Sequence, residues 1–332
     1  MIFNTSDNIK KYSYHCNFSD DGLGLKNFVD KIVASGAVNI TVNIIGNFYC
    51  NSTSRASDNK YYHFVYEYGG DGDVTLDFSE CNLIQAGANF MYVKNVTVRN
   101  CYVKYSRNAM TAFTGDTARF IDCTVRGLFT GSGVSTCFKG AGIHCIGCYV
   151  SVEQTGGNIY GFDVTESVID RCRVHIKSNF SAYGVRALES SQVSNSRFSA
   201  LSTNTGAGYS GTGGIGGGNF TNCIFIGRGG IAGNGFVQSD GYVVNSMNCT
   251  YRGYTANASG TGIGFKANNS DTNGVCLMGI NCNQVTLDGY IQTQSARVYG
   301  YGVVAGHFYS GGNPVFASTI NQLSVVNRNR IN

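Results

Sequence analysis

A chain of 332 residues is long enough to bury a large core, and a hydrophobic content of 42% excludes a disordered polymer even though 45 residues are Gly and only 13% are charged. The net charge of +4 is small for this length and no run of Lys or Arg is present to track a phosphate backbone, so nucleic acid is not an expected partner. Residues 1–16, MIFNTSDNIKKYSYHC, lack an apolar h-region, and no stretch of about 18 apolar residues occurs, so neither a secretion signal nor membrane insertion is expected. The 13 Cys, an odd number, then read as free thiols made in a reducing cytoplasm.

The first predicted element is a helix. In SDDGLGLKNFVDKIVASG, residues Leu25, Phe28, Val29, Ile32 and Val33 recur at a spacing of three to four, Asp20 or Asp21 can cap the start, and Gly36 can end it. A short amphipathic helix is expected over about 22–35, followed by a strand in VNITVNIIGNFYC. Residues 1–60 thus read as a capping segment that covers an open sheet edge. Asp71 and Asp73 in GGDGDV imitate a calcium loop but lack a third acidic ligand and a Glu, so no metal or other cofactor is expected.

Beyond residue 60 the cysteines set a period. Cys81, Cys101, Cys123, Cys148, Cys172, Cys223 and Cys249 form one series if Ser196 fills a single vacancy, with steps of 20, 22, 25, 24, 24, 27 and 26. Two positions after each member stands an apolar residue: Leu83, Val103, Val125, Val150, Val174, Phe198, Phe225 and Tyr251. That is the period-two signature of a strand whose Cys and apolar partner face inward. One position before the series, Asn, Asp or Gly predominate (Asn100, Asp122, Gly147, Asn195, Asn222, Asn248), the residues that tolerate a left-handed backbone at a sharp bend. Three positions before it lies a second apolar set: Val98, Phe120, Cys145, Ile169, Val193 and Phe220.

Two solenoids have periods near 24. A leucine-rich repeat needs a Leu framework, and the chain has ten Leu with none at a fixed offset. The pattern fits an all-β, right-handed parallel β-helix over residues 61–305, of about nine coils, capped by the N-terminal helix and followed by a cap or trimerisation segment at 306–332. After Cys249 the register admits either Cys276 or Cys282. The CxxC formed by Cys145 and Cys148 falls on interior positions of this scheme, so packing rather than zinc or redox chemistry is expected of it.

Chemistry is then sought on the outward face. Aligning YGFDVTES (160–167) with YGVRALES (183–190) at a shift of 23 places Tyr160 over Tyr183, Asp163 over Arg186 and Glu166 over Glu189. Carboxylates one coil apart stand about 5 Å from each other, the separation of a retaining glycosidase pair, which nominates Asp163, Glu166 and Glu189 as catalytic. For Asp163 and Glu166 to face the same side, a bend near Thr165 is required. Arg186, Tyr160 and Tyr183 beside them, and Arg173 and His175 in the basic stretch DRCRVHIK, are candidate substrate-binding residues. Glu153 and Lys177 are expected to stack as an ion pair, and Tyr102, Tyr149 and Tyr254 to point outward.

The order of an Asp-Asp pair, an amphipathic helix, a Gly and an alternating strand ending IGNFYC resembles the opening of pectate-lyase-like right-handed β-helix proteins, and among them bacteriophage tailspikes. The resemblance implies a homotrimer on a virion tail, assembled in the host cytoplasm and attached directly or through an adaptor protein. It also implies binding, and cleavage by an endoglycosidase reaction, of a bacterial surface polysaccharide such as O-antigen or capsule. A receptor-binding tail protein without activity, and a polysaccharide lyase, are the alternatives.

Overall fold

The computed structural model describes residues 9–267, apart from 18–19, 86–88, 106–110, 205–209, 231, 240–241 and 257–260, and short strands between 275 and 314. Most of the 306–332 segment, Asp240 and part of the Gly-rich run 206–219 therefore lie outside the described residues.

The chain winds as a right-handed parallel β-helix with three sheets. Sheet I begins with Lys10–His15, Ile40–Tyr49 and Val74–Gln85 and continues through Val96–Arg99, Arg119–Ile121 and the short strands that follow. Sheet II runs from Phe64–Glu67 and Asn89–Lys94 through Thr111–Asp116, Ser135–Ala141, Ile159–Thr165 and Ala182–Leu188. Sheet III starts at Tyr102–Tyr105 and continues with Thr124–Phe129, Tyr149–Gln154, Arg173–Ser178 and Arg197–Ser202. Seven complete turns lie between Val96 and Ala267, and the same pairing carries on into the strands at 275–310. Among the described strands, only the hairpin Ser54–Arg55/Tyr61–Tyr62 and the pair Phe308–Ser310/Asn313–Pro314 are antiparallel.

The periodic residues stack as their spacing predicts. Val103, Val125, Val150, Val174, Phe198, Phe225 and Tyr251 form one inward column, and Val98, Phe120, Cys145, Ile169, Val193 and Phe220 another. Between the two columns the chain bends through a single left-handed residue: Asn100, Asp122, Gly147, Arg171, Asn195, Asn222 and Asn248 all have φ between 49° and 67°. A single left-handed residue between the two strands resets which side chains point inward, which explains why the two apolar sets sit at an odd offset. The bends also link to one another, as Asn195 Nδ2 donates to Asp170 and Asn222 Nδ2 to Asn195.

Each described Cys of the series from Cys101 to Cys249 is buried and free. The thiols of Cys148 and Cys172 donate to the carbonyls of Phe120 and Cys145 in the coil below, at 3.3 and 3.4 Å. Ser196 fills the vacancy, donating to Ser194 O at 2.6 Å and accepting from Cys172 N at 3.0 Å. Burial holds the Cys145 and Cys148 thiols above their ordinary range, so they are packed as neutral groups.

Phe113, Phe138 and Phe162 stack face to face in the interior with successive centroids 4.9 Å apart. Fully burying each such ring stabilises the fold by about 1.5–3 kcal/mol.

The register departs from expectation at both ends of the solenoid. Val74–Gln85 runs as one strand through Glu80 and Cys81, because the first coil has no left-handed bend there. Beyond Cys249, Cys276 pairs with Asn245 and Cys282 with Tyr251, so neither continues the Cys series, and Cys282 instead extends the register of the column that includes Tyr251.

The capping helix spans Asp21–Ala34 and buries Leu25, Val29 and Ile32. Residues 10–15 also add a strand to sheet I, which the sequence pattern did not reveal. The acidic pair holds these pieces together. Asp20 caps the helix by accepting from Leu23 N and also accepts from Ser52 N. Asp21 is fully buried and accepts from Tyr14 Oη, Asn17 N and Tyr49 N at 3.0–3.2 Å. Substituting Asp21→Ala removes an acceptor shared by three donors from the added strand, its connection and the strand Ile40–Tyr49. It is expected to cost at least about 2 kcal/mol, read as a lower urea midpoint.

Candidate functional site

The outward face of sheet II carries a cleft of about 320 Å³ lined by Lys60, Asn89, Thr111, Thr136, Lys139, Tyr160, Asp163 and Arg186. Strand register brings these side chains together. Thr111, Thr136, Tyr160 and Tyr183 occupy one row, and Thr114, Lys139, Asp163 and Arg186 the next. The two rows are three residues apart along each strand, a spacing that ordinary alternation would place on opposite faces.

A bend at Gly161 resolves this. Gly161 and Phe162 both point inward, and a Cβ on Gly161 would lie 2.6 Å from Val174 Cγ1 and against the Gly184 carbonyl. The same two-inward step occurs in the coils before it, where Cys137 and Phe138, and Phe90 and Met91, are both buried, and it lets Tyr160 and Asp163 emerge on the same outer surface. The expected bend beyond Thr165 is also present, as Glu166 and Glu189 both adopt left-handed backbone (φ 50° and 56°).

Arg186 grips Asp163 with both ends of its guanidinium, Nε to Oδ1 at 2.7 Å and Nη2 to Oδ2 at 2.8 Å. The same guanidinium carbon sits 4.9 Å from the Tyr160 ring centroid, and Tyr160 stacks on Tyr183 at 4.7 Å with the planes 14° apart. The Asp163 side chain is only 10% exposed, so the bidentate pair locks an almost fully desolvated carboxylate. Hydrogen bonding and proximity to Asp163 raise the Arg186 pKa and keep it charged. The stacked tyrosines thus present a two-ring platform to the cleft, with the Tyr160 ring in contact with both Tyr183 and the Arg186 guanidinium.

The opposite wall comes from outside the repeat. The hairpin Ser54–Arg55/Tyr61–Tyr62 folds over the first strands of sheet II, where Tyr62 packs on Tyr92 and Ser57 Oγ meets Tyr92 Oη at 2.8 Å. Its last loop residue, Lys60, reaches the cleft beside Lys139. Burial, and then the positive charge of Lys60, push the Lys139 pKa below its ordinary value. The cleft therefore holds three cations and one carboxylate, with an amine predisposed to lose its proton.

Four of the predicted residues, Tyr160, Tyr183, Asp163 and Arg186, converge here. Glu166 and Glu189 stand at the exposed bends past the ends of their strands, one coil apart. Arg173 and His175 are exposed on sheet III, a different side of the solenoid. Lys60 and Lys139 were missed. The signal for Lys139 was partial, since the coil before Asp163 is one residue longer and only a shift of 24, rather than the 23 that aligns Asp163 with Arg186, places Lys139 beside it. A second hollow of about 350 Å³ on sheet I, near Thr41, Thr97, Arg99 and Arg119, has no aromatic floor.

The positions of the two glutamates make a separable prediction. An L-residue in the left-handed region costs roughly 1 kcal/mol, less for Asn than for Glu. Glu166→Asn and Glu189→Asn are expected to keep or slightly raise stability, read as an equal or higher melting temperature.

The fold places the chain among right-handed parallel β-helix proteins. No family model matches it, and no curated protein matches it in sequence. Among solved structures it is similar to the crystal structure of pectate lyase Pel9A, at 15% identity and a TM-score of 0.45, over 98% of this chain and 82% of that one.

Proposed function

We propose that this β-helix is a tailspike-type depolymerase that binds an acidic bacterial surface polysaccharide in the sheet II cleft and cleaves it by elimination. The observation that carries the reading is the grouping of Lys60, Lys139 and Arg186 around a tyrosine platform in one cleft. The tyrosine pair offers an apolar contact for the C–H groups of a sugar, and excess positive charge matches a uronate carboxylate.

Elimination needs a base and neutralisation of the carboxylate next to the carbon that loses its proton. Neutral Lys139 takes the proton from C5 of the uronate, and the electron pair forms the C4–C5 double bond. The C4–O bond breaks, and the departing oxygen takes a proton from water to give a new chain end. Lys60 offsets the charge that builds on the carboxylate, while Arg186 stays paired with Asp163 and holds the floor of the cleft. The endoglycosidase alternative, with Asp163, Glu166 and Glu189 as its carboxylates, would have to free Asp163 from Arg186.

The virion tail location, its attachment directly or through an adaptor, and homotrimer assembly are part of the same proposal. They rest on the resemblance of the N-terminal opening to tailspikes. Incubation with a panel of purified acidic capsules and O-antigens tests the chemistry. Products bearing an unsaturated uronate end support elimination, saturated oligosaccharides indicate hydrolysis, and binding without products indicates a receptor-binding protein. Sedimentation of the intact chain tests the trimer.

A further inference from the structure

Away from the cleft, the exposed face of sheet III concentrates charge of one sign. Its seven strands between Tyr102 and Thr255 contain a single carboxylate, Glu153, and this pairs with Lys177 at 2.8 Å. Against it, besides Lys177, stand Lys104, Arg126, Arg173, Arg197, Arg228 and Arg252, spread over about 29 Å of stacked strands.

Three features make this more than a solvated surface. Arg173 and Arg197 are exposed and directly opposite each other in neighbouring strands, a like-charge pairing that costs stability and serves no packing need. Arg126 and Arg228 sit over the rings of Tyr149 and Tyr254, at 4.9 and 5.5 Å, which restrains their guanidinium forks at the surface. Along the row Lys104, Arg126, Ser151, His175 and Ser199, short hydroxyls alternate with basic groups.

We infer that this face is a second binding surface that holds a linear uronate-bearing polysaccharide along the axis of the solenoid. A polyanion relieves the arginine repulsion, the forks match carboxylates in bidentate fashion, and the serines match sugar hydroxyls. A single-stranded nucleic acid fits less well, because its bases need aromatic faces and guanidiniums already cover one face of Tyr149 and of Tyr254. The identity of the polymer rests on the reading of the cleft as an acidic-sugar site, while the surface itself uses none of the cleft's residues. A repulsive face of this kind is also unsuited to a seam between copies of the chain.

Affinity electrophoresis of the full chain through gels containing polygalacturonate, neutral dextran or oligo(dT) tests the inference. Retardation by polygalacturonate and not by dextran is expected, weakening with added salt. The double variant Arg173→Glu/Arg197→Glu should raise the dissociation constant at least about tenfold, while the same charge change on sheet I, Arg99→Glu/Arg119→Glu, shifts it less than about threefold. No retardation of the parent, unchanged retardation of the sheet III variant, an equal loss in the sheet I variant, or tighter binding of oligo(dT) would each overturn it. Because neither variant touches the cleft, the comparison is independent of whether Lys139 proves to be the base for cleavage.

Discussion

Replacing Lys139 by Ala should lower polysaccharide cleavage by about 10²–10⁴-fold, the usual contribution of a positioned general base, while the platform of Tyr160 and Tyr183 still binds substrate. The pH profile adds a readout that a structural role would not move. Only the neutral amine can accept the proton, so the rate rises with pH through the pKa of Lys139. Burial and Lys60 lower that pKa, so the rising limb lies below the ordinary lysine value of 10.5. Removing the neighbouring charge with Lys60→Ala lets the pKa climb, and the limb should move to higher pH. A profile that stays in place in Lys60→Ala, or full activity in Lys139→Ala, would remove Lys139 from the chemistry.

The second large effect is on stability. Arg186→Ala leaves the Asp163 carboxylate, 10% exposed, without either of its charge-assisted bonds, and a broken pair at such depth typically costs about 3–5 kcal/mol. The double variant Asp163→Ala/Arg186→Ala removes both charges and should be distinctly more stable than Arg186→Ala alone, which is the signature of a coupled pair. Denaturant titrations of the two single variants and the double variant measure this directly. A cost below about 1 kcal/mol for Arg186→Ala would mean the pair behaves as a solvated surface bridge.

Much of this is legible in the chain. The cysteine series, its inward partners and the left-handed bends are all nearest-neighbour features, repeated once per coil. The alignment of 160–167 with 183–190 therefore yields the correct register of Tyr160 on Tyr183 and Asp163 beside Arg186. The ion pair of Glu153 with Lys177 follows from the same rule.

Other parts carry no such signal. Tyr160 and Asp163 share a face only because two consecutive residues between them, Gly161 and Phe162, both turn inward, a departure from strand alternation that the sequence does not announce. The separation of Arg173 and His175 from the cleft depends on which of three sheets each strand joins.

The sequence by itself determined the solenoid, its period and its cap, because stacking repeats each physical requirement in every coil and so writes it many times. The tertiary structure alone decided the cleft. Lys60 arrives on a hairpin with no counterpart among the described residues of other coils, and it meets Lys139 across 79 residues of chain. A contact made once, between segments so far apart, leaves no periodic trace, and its consequence, a lysine pushed toward its neutral form, exists only where the two amines are brought together.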